Sequence, residues 1–313
     1  MEQVITQEST PVRAYLGLLV GVAAVSLGAI FIRLAQGEGL PSLTVAAGRL
    51  SIAAFLLTLV VLRRPDYRAQ VRRLGRQDAL LILLGGFFLA AHFATWVTSL
   101  EYTTVLISVV LVTTTPIWVA LLERVFLRTR LPAAVLLGLL IVLIGGTMIA
   151  VNGDDGGVSS RPLLGGTLAL LGAVAVAVYL VVGRRLRATL SLTPYIWLVY
   201  GTGALFLLAG LLLTGTEVAG YSAAGYGWVV AVALMPQLVG HTFLNYALAY
   251  LPATYVSIST QLEPVLSTIV AYFVFAEMPG VWQVVGGAII MAGVLVASVG
   301  QSRASRTLKR LNP

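Results

Sequence analysis

An all-α integral membrane protein of ten transmembrane helices, arranged as two inverted five-helix repeats, is the fold class that these 313 residues predict. Three observations carry the prediction. The chain is 58% hydrophobic and 10% charged, with a mean hydropathy of +0.95, whereas a soluble domain carries roughly 25% charged residues and has no means of hiding so much apolar surface. Ten apolar runs each approach about 20 residues, the length that crosses a hydrocarbon core of roughly 30 Å. Tyr102 and Tyr250, Pro116 and Pro264, Gly138 and Gly286, and Gly145 and Gly293 all stand 148 residues apart. A repeat of that length in an apolar chain points to duplicated transmembrane halves.

The first five runs cover residues 14–33, 41–62, 79–99, 102–122 and 131–151, and the second five cover 163–183, 194–214, 226–248, 252–275 and 281–300. Water cannot satisfy backbone groups inside lipid, so each run is read as a helix. Pro116 and Pro264 fall inside the fourth and ninth runs. Each removes a helix hydrogen bond and frees the carbonyl four residues earlier, that of Val112 or Thr260. Thr115, Pro116 and Pro264 are therefore hinge or gating candidates, with an ordinary kink capped by nearby hydroxyls as the alternative. The organisation that follows is an N-terminal segment (1–13), a first repeat (14–151), a linker (152–162), a second repeat (163–300) and a basic tail (301–313). The segment before Arg13 lacks a basic start and a cleavage site, so no cleavable signal peptide is expected.

Loop charge sets the expected orientation. With both termini in the cytoplasm, every Lys and Arg falls on that side except Arg33 and Arg161 at outer ends and Arg49 within the second run. Arg33 is expected to snorkel outward, since long cationic side chains near helix ends do so. Five helices per half is an odd number, so the second half enters the membrane inverted. The loop after the fourth run carries Arg124, Arg128 and Arg130, whereas its counterpart after the ninth carries Glu277 and no basic residue. The net charge of +8 thus reflects membrane orientation, and no nucleic-acid partner is expected. With no cysteine, disulfides and thiolate metal sites are excluded.

The phrases EYTTVLISVVLVTTTPIWVALLE and LAYLPATYVSISTQLEPVLSTIVAYFVFAEMPGVWQVVGGAIIMAGV, set in ten short helices of two halves, resemble the drug/metabolite transporter superfamily, specifically its EamA-like members. The resemblance covers nearly the whole chain. It implies export or exchange of a small organic solute such as an amino acid, by alternating access in the cell membrane, with a coupling proton or counter-solute as a further partner. Drug or organic-cation export is the alternative within that class, and a non-transporting solute sensor the alternative outside it. Small multidrug exporters of the same superfamily carry a glutamate in their first helix, which this chain lacks. It offers Ser26 there instead.

Polar groups within a bilayer are costly and tend to face an internal cavity. The only histidines, His92 and His241, match through the repeat to within one residue, and Trp96 and Asn245 follow them at i+4 on the same helix faces. His92, Trp96, Tyr179, Gln237, His241, Asn245, Gln261 and Glu263 are the solute-binding candidates. For the histidines, packing against a neighbouring helix stays open. Glu263 is the carboxylate nearest the middle of a run, and three roles stay open for it: a proton-coupling acid, a partner for a cationic solute, or a structural ion pair with Arg49. Glu101 and Glu123 lie at membrane edges, where solvation is expected. All aspartates lie in loops, no His and carboxylate set has metal-ligand spacing, and no phosphate-cradling glycine loop with its lysine occurs. No enzymatic activity, cofactor or metal is expected, and the glycines do not define an oligomeric state.

Overall fold

In lipid, only internal hydrogen bonding satisfies these apolar segments, and all ten predicted runs are helical. A computed structural model describes residues 12–127, 132–152, 160–251 and 253–311. The segment before Val12, linker residues 153–159, and Arg128 and Arg130 lie outside the described residues. The helices are α1 (Val12–Gly37), α2 (Ser42–Arg63), α3 (Arg76–Ser99), α4 (Val105–Val112 with Thr115–Leu127), α5 (Ala133–Asn152), α6 (Pro162–Arg187), α7 (Leu192–Thr214), α8 (Ala223–Ala247), α9 (Ala253–Ser259, Thr260–Leu262 and Glu263–Phe275) and α10 (Val281–Leu311). Eight are long and apolar enough to span a membrane, and α5 and α10 contribute shorter apolar stretches. Leu212 and Leu213 are 84% and 88% exposed, the pattern of side chains that dissolve in lipid tails rather than in a protein core.

Two boundaries differ from expectation. The tenth helix runs on through the basic tail to Leu311, because nothing between Gln301 and Leu311 breaks a helix. A short helix, Pro65–Arg72, forms between α2 and α3 and buries none of its residues. Proline at its first turn fits a position whose N–H has no helical acceptor. Gln70 within it accepts hydrogen bonds from the Ser191 amide and hydroxyl at 3.1 and 2.8 Å, tying it to the start of α7.

Glycine sets the close crossing of α5 with α10. A Cβ on Gly138 would lie 2.5 Å from the Gly293 carbonyl oxygen, and one on Gly293 would lie 2.8 Å from that of Gly138. A Cβ on Gly145 would lie 2.7 Å from the Gly286 carbonyl oxygen. Gly138 therefore meets the repeat counterpart of Gly145, and Gly145 meets the counterpart of Gly138. Such reciprocity is the mark of a two-fold contact.

Four helices are interrupted near mid-depth. In α1 the helix breaks at Ser26 and Leu27; the Ser26 hydroxyl returns to the Val22 carbonyl at 2.8 Å, and Ser267 of α9 donates to the Ser26 carbonyl at 2.7 Å. In α4 the break falls at Thr113 and Thr114, just before Pro116, and the Thr115 hydroxyl donates to the Val112 carbonyl that the proline frees. In α9 the helix tightens to 3-10 form over Thr260–Leu262. Gln261 there donates to the Thr113 carbonyl, so two positions 148 residues apart touch each other. Neither the α1 break nor the fourth interruption is among the sequence expectations: α8 widens into a π-helix over Ala233–His241, around Pro236. Proline removes a donor and crowds the preceding turn, and a wider turn relieves both effects.

Candidate functional site

These interruptions surround one cavity, largely apolar in surface, into which several polar side chains are gathered. Arg49, Trp96, His92, Thr115, Tyr179, His241 and Glu263 all line it, drawn from α2, α3, α4, α6, α8 and α9. Pro236 lines it as well, although only Pro116 and Pro264 stood out in the sequence. Gln237, Asn245, Gln261, Pro116 and Pro264 do not line it. Gln237, Asn245 and Gln261 instead hydrogen-bond to residues that do: Arg49, Tyr179 and Thr113.

Arg49 is the most constrained member. It is 0% exposed, its Nε donates to the Gln237 carboxamide oxygen at 3.1 Å, and its guanidinium carbon sits 3.7 Å from the centre of the Phe93 ring. That is close range for a cation over an aromatic face. Gln237 reaches it from the π-helical turn of α8. Among the described residues, the Nη1 and Nη2 atoms of Arg49 have no hydrogen-bond partner. Glu263 begins the last segment of α9, where a carboxylate favours the positive end of the helix, and it is 8% exposed. The sequence left open an ion pair between Arg49 and Glu263. No nitrogen–oxygen approach within 4.0 Å joins them, and both residues line the cavity separately.

The histidines take different positions in the wall. His92 lies 2.9 Å through Nδ1 from the Gly172 carbonyl and stacks on Trp96, with ring centres 5.7 Å apart and planes 9° from parallel. His241 packs edge-on against Phe93 at 5.3 Å and stands 6.5 Å from the His92 ring. Both cavity lining and helix packing are thus realised in His92. Tyr179, for which the sequence also allowed an interfacial position, is 1% exposed and donates to the Asn245 carboxamide at 2.7 Å. Asn245 in turn donates to Tyr200 at 3.3 Å, linking α6, α8 and α7. Tyr179→Phe leaves a buried amide oxygen without its donor. A loss of about 1–3 kcal/mol of stability is expected, read as a lower midpoint in thermal unfolding of purified protein, and an unchanged midpoint would refute the linkage.

One end of the cavity is fastened by Arg33, which does not snorkel into the surroundings as expected. Its Nη1 pairs with Glu277 at 2.8 Å, its Nε and Nη2 donate to the carbonyls of Leu100 and Thr103 at 3.3 and 3.1 Å, and Glu277 accepts from the Val105 amide at 2.9 Å. The end of α1, the α3–α4 turn, the start of α4 and the α9–α10 connection are thereby joined. At the opposite end, Arg184 donates to the Leu251 carbonyl at 2.6 Å. Leu251 is the repeat counterpart of Thr103, so each end has an arginine on the equivalent carbonyl. Glu101 is also engaged, accepting from the Ser42 hydroxyl and, at 3.3 Å, from its amide. The side chain of Glu123 lies outside the described residues.

From α6, α8 and α9 the lining residues Leu180, Leu244, Val256 and Ser257 come from the halves of those helices remote from Arg33. The cavity accordingly extends from mid-depth toward the Arg184 end. A second, larger groove between α4, α5 and α6 is lined by residues such as Leu111, Trp118, Leu143 and Leu170, with no ionisable side chain among them. It has the chemistry of a lipid-filled surface.

A multi-pass membrane protein that keeps ionisable groups in a cavity among broken helices has the build of a membrane transporter. The profile of the EamA-like transporter family matches residues 12–151 and 163–299, and the chain belongs to that family. Among its relatives are the uncharacterized transporter YyaM of Bacillus subtilis, 26% identical over 81% of this chain and 83% of that protein, and a probable terminal-alkyne amino-acid exporter of Streptantibioticus cattleyicolor, 27% identical over 87% of each. A pseudopaline exporter of Pseudomonas aeruginosa is 24% identical over 83% of this chain and 87% of its own. A solved crystal structure shares the fold with a TM-score of 0.62 at 20% identity, covering 93% of this chain and 99% of the other.

Proposed function

We propose that this chain is a secondary carrier that exports a small organic solute of the amino-acid kind across the cell membrane, by alternating access between two inverted repeats. The cavity among interrupted helices carries this reading: unwound mid-membrane segments leave room and polar groups for a solute, where continuous helices would not. Its fastening at the Arg33 end and extension toward the Arg184 end match one of the two states that alternating access requires. Arginine-rich connections at the Arg184 end, against Glu277 at the other, support a reading in which the Arg184 end faces the cytoplasm. Two relatives named as exporters, one of them of amino acids, support the direction and the solute class.

The test is transport by the purified protein in liposomes loaded with a mixture of unlabelled amino acids and presented with labelled ones. Saturable uptake accelerated by internal solute is expected, and His92→Gln and His241→Gln should each lower it. Linear, unsaturable flux would identify a channel, and absence of flux for every solute class would point to a sensor. Transport unchanged in both histidine variants would remove those two side chains from the solute path.

A further inference from the structure

We propose that Arg49 and Glu263 form a two-point head-group site for a zwitterion, with the solute carboxylate on the Arg49 fork and its ammonium on Glu263. This rests on the carrier reading above and narrows its solute class. A buried guanidinium is ordinarily paired in full, because desolvating the charge without compensation is costly. Arg49 is 0% exposed, yet among the described residues two of its three guanidinium nitrogens have no hydrogen-bond partner. Its remaining freedom is already removed, since Nε is held by Gln237 and its face lies on Phe93. What is left is a held pair of parallel donors, buried in a residue that lines the cavity. Two coplanar N–H groups at that spacing match the two oxygens of a carboxylate.

The same cavity carries one matching acidic group. Glu263 is 8% exposed, and among the described residues its carboxylate makes no ion pair or hydrogen bond. Arg49 and Glu263 are thus opposite charges that share a cavity without touching. A solute with only a positive charge would leave Arg49 desolvated and unpaired, and a purely anionic one would leave Glu263 so. A solute bearing both charges compensates both residues, and the buried charges that would otherwise destabilise the site become its selectivity. Val25, Val112, Val176, Leu180 and Val256 form apolar wall beyond the charged groups. That surface suits the side chain of an α-amino acid rather than a second charged group.

The experiment compares thermal stabilisation of the full-length purified protein by free L-amino acids, by their carboxamides, which keep only the cation, and by their N-acetyl derivatives, which keep only the anion. A ligand bound by the folded state alone raises the unfolding midpoint, and at equal concentration a tighter ligand raises it more. At least one free amino acid is expected to stabilise the protein, with its amide and its N-acetyl derivative each bound about tenfold or more weakly. Glu263→Gln should abolish the preference for the free amino acid over the N-acetyl form while leaving discrimination against the amide. Arg49→Lys, which keeps the charge but loses the fork, should weaken the free amino acid and the N-acetyl form alike. If Arg49→Lys does not fold, the derivatives and Glu263→Gln still decide. The proposal is overturned if no free amino acid stabilises the protein, if amides bind as well as free amino acids, or if Glu263→Gln leaves the preference intact. Liposomes that move amides or anions but not amino acids would defeat the head-group site and spare the carrier, whereas amino acids bound with this selectivity but never moved would do the reverse.

Discussion

Gly138→Ala is expected to destabilise the protein by about 3 kcal/mol or more, an effect at the severe end for one added methyl group. The new Cβ would stand 2.5 Å from the Gly293 carbonyl oxygen, 2.6 Å from the Ala297 Cβ and 2.9 Å from the Ala297 nitrogen. Two of these are backbone atoms, so no rotamer change makes room and α5 must move away from α10. Gly145→Ala meets the Gly286 carbonyl at 2.7 Å and should behave in the same way. Gly146→Ala is the internal control, because a Cβ there meets nothing within 4 Å and alanine favours a helix over glycine by about 1 kcal/mol. Thermal unfolding in detergent should separate the first two variants from the third by many degrees. Equal midpoints for all three would refute close glycine packing as the basis of this crossing.

Glu277→Gln is expected to release the Arg33 end. It removes a charge-assisted bond of about 1.5–3 kcal/mol, enough to shift an equilibrium between closed and open ends by roughly 10- to 100-fold. The chain has no native cysteine, so a single introduced thiol reports accessibility against a clean background. Val112→Cys, in the cavity wall, should react slowly with a membrane-impermeant maleimide applied at the Arg33 end, and at least about tenfold faster when Glu277→Gln is added. Arg33→Gln should accelerate it similarly. Unchanged labelling in both backgrounds would show that the ion pair does not hold this end shut.

The helices were legible because a bilayer leaves so few choices: length and hydropathy located every span within a few residues, apart from the extended tenth. The short helix Pro65–Arg72 was hidden in a run of arginines whose periodicity carries no apolar signal. For the cavity, the costliness of polar atoms in lipid was a sound guide to which residues lie inside, but not to what each one touches. Gln237 and Asn245 are as buried as the groups they serve, and only the fold separates a wall residue from the residue behind it. The π-helical turn had a sequence signal in Pro236, one residue before Gln237, but a proline does not state whether a helix will kink, break or widen. Arg33 was misread for a related reason: its depth permitted snorkelling, and its partner Glu277 lies 244 residues away in sequence.

Thr113 and Gln261, in contact and 148 residues apart, fix where a rocking motion would turn. When two repeats trade conformations, a point shared by both copies is a pivot, and points far from it travel in proportion to their distance. Arg33 and Glu277 sit at the rim. A carrier that rocks about that point, as proposed, would have to break this clasp before the Arg33 rim could part.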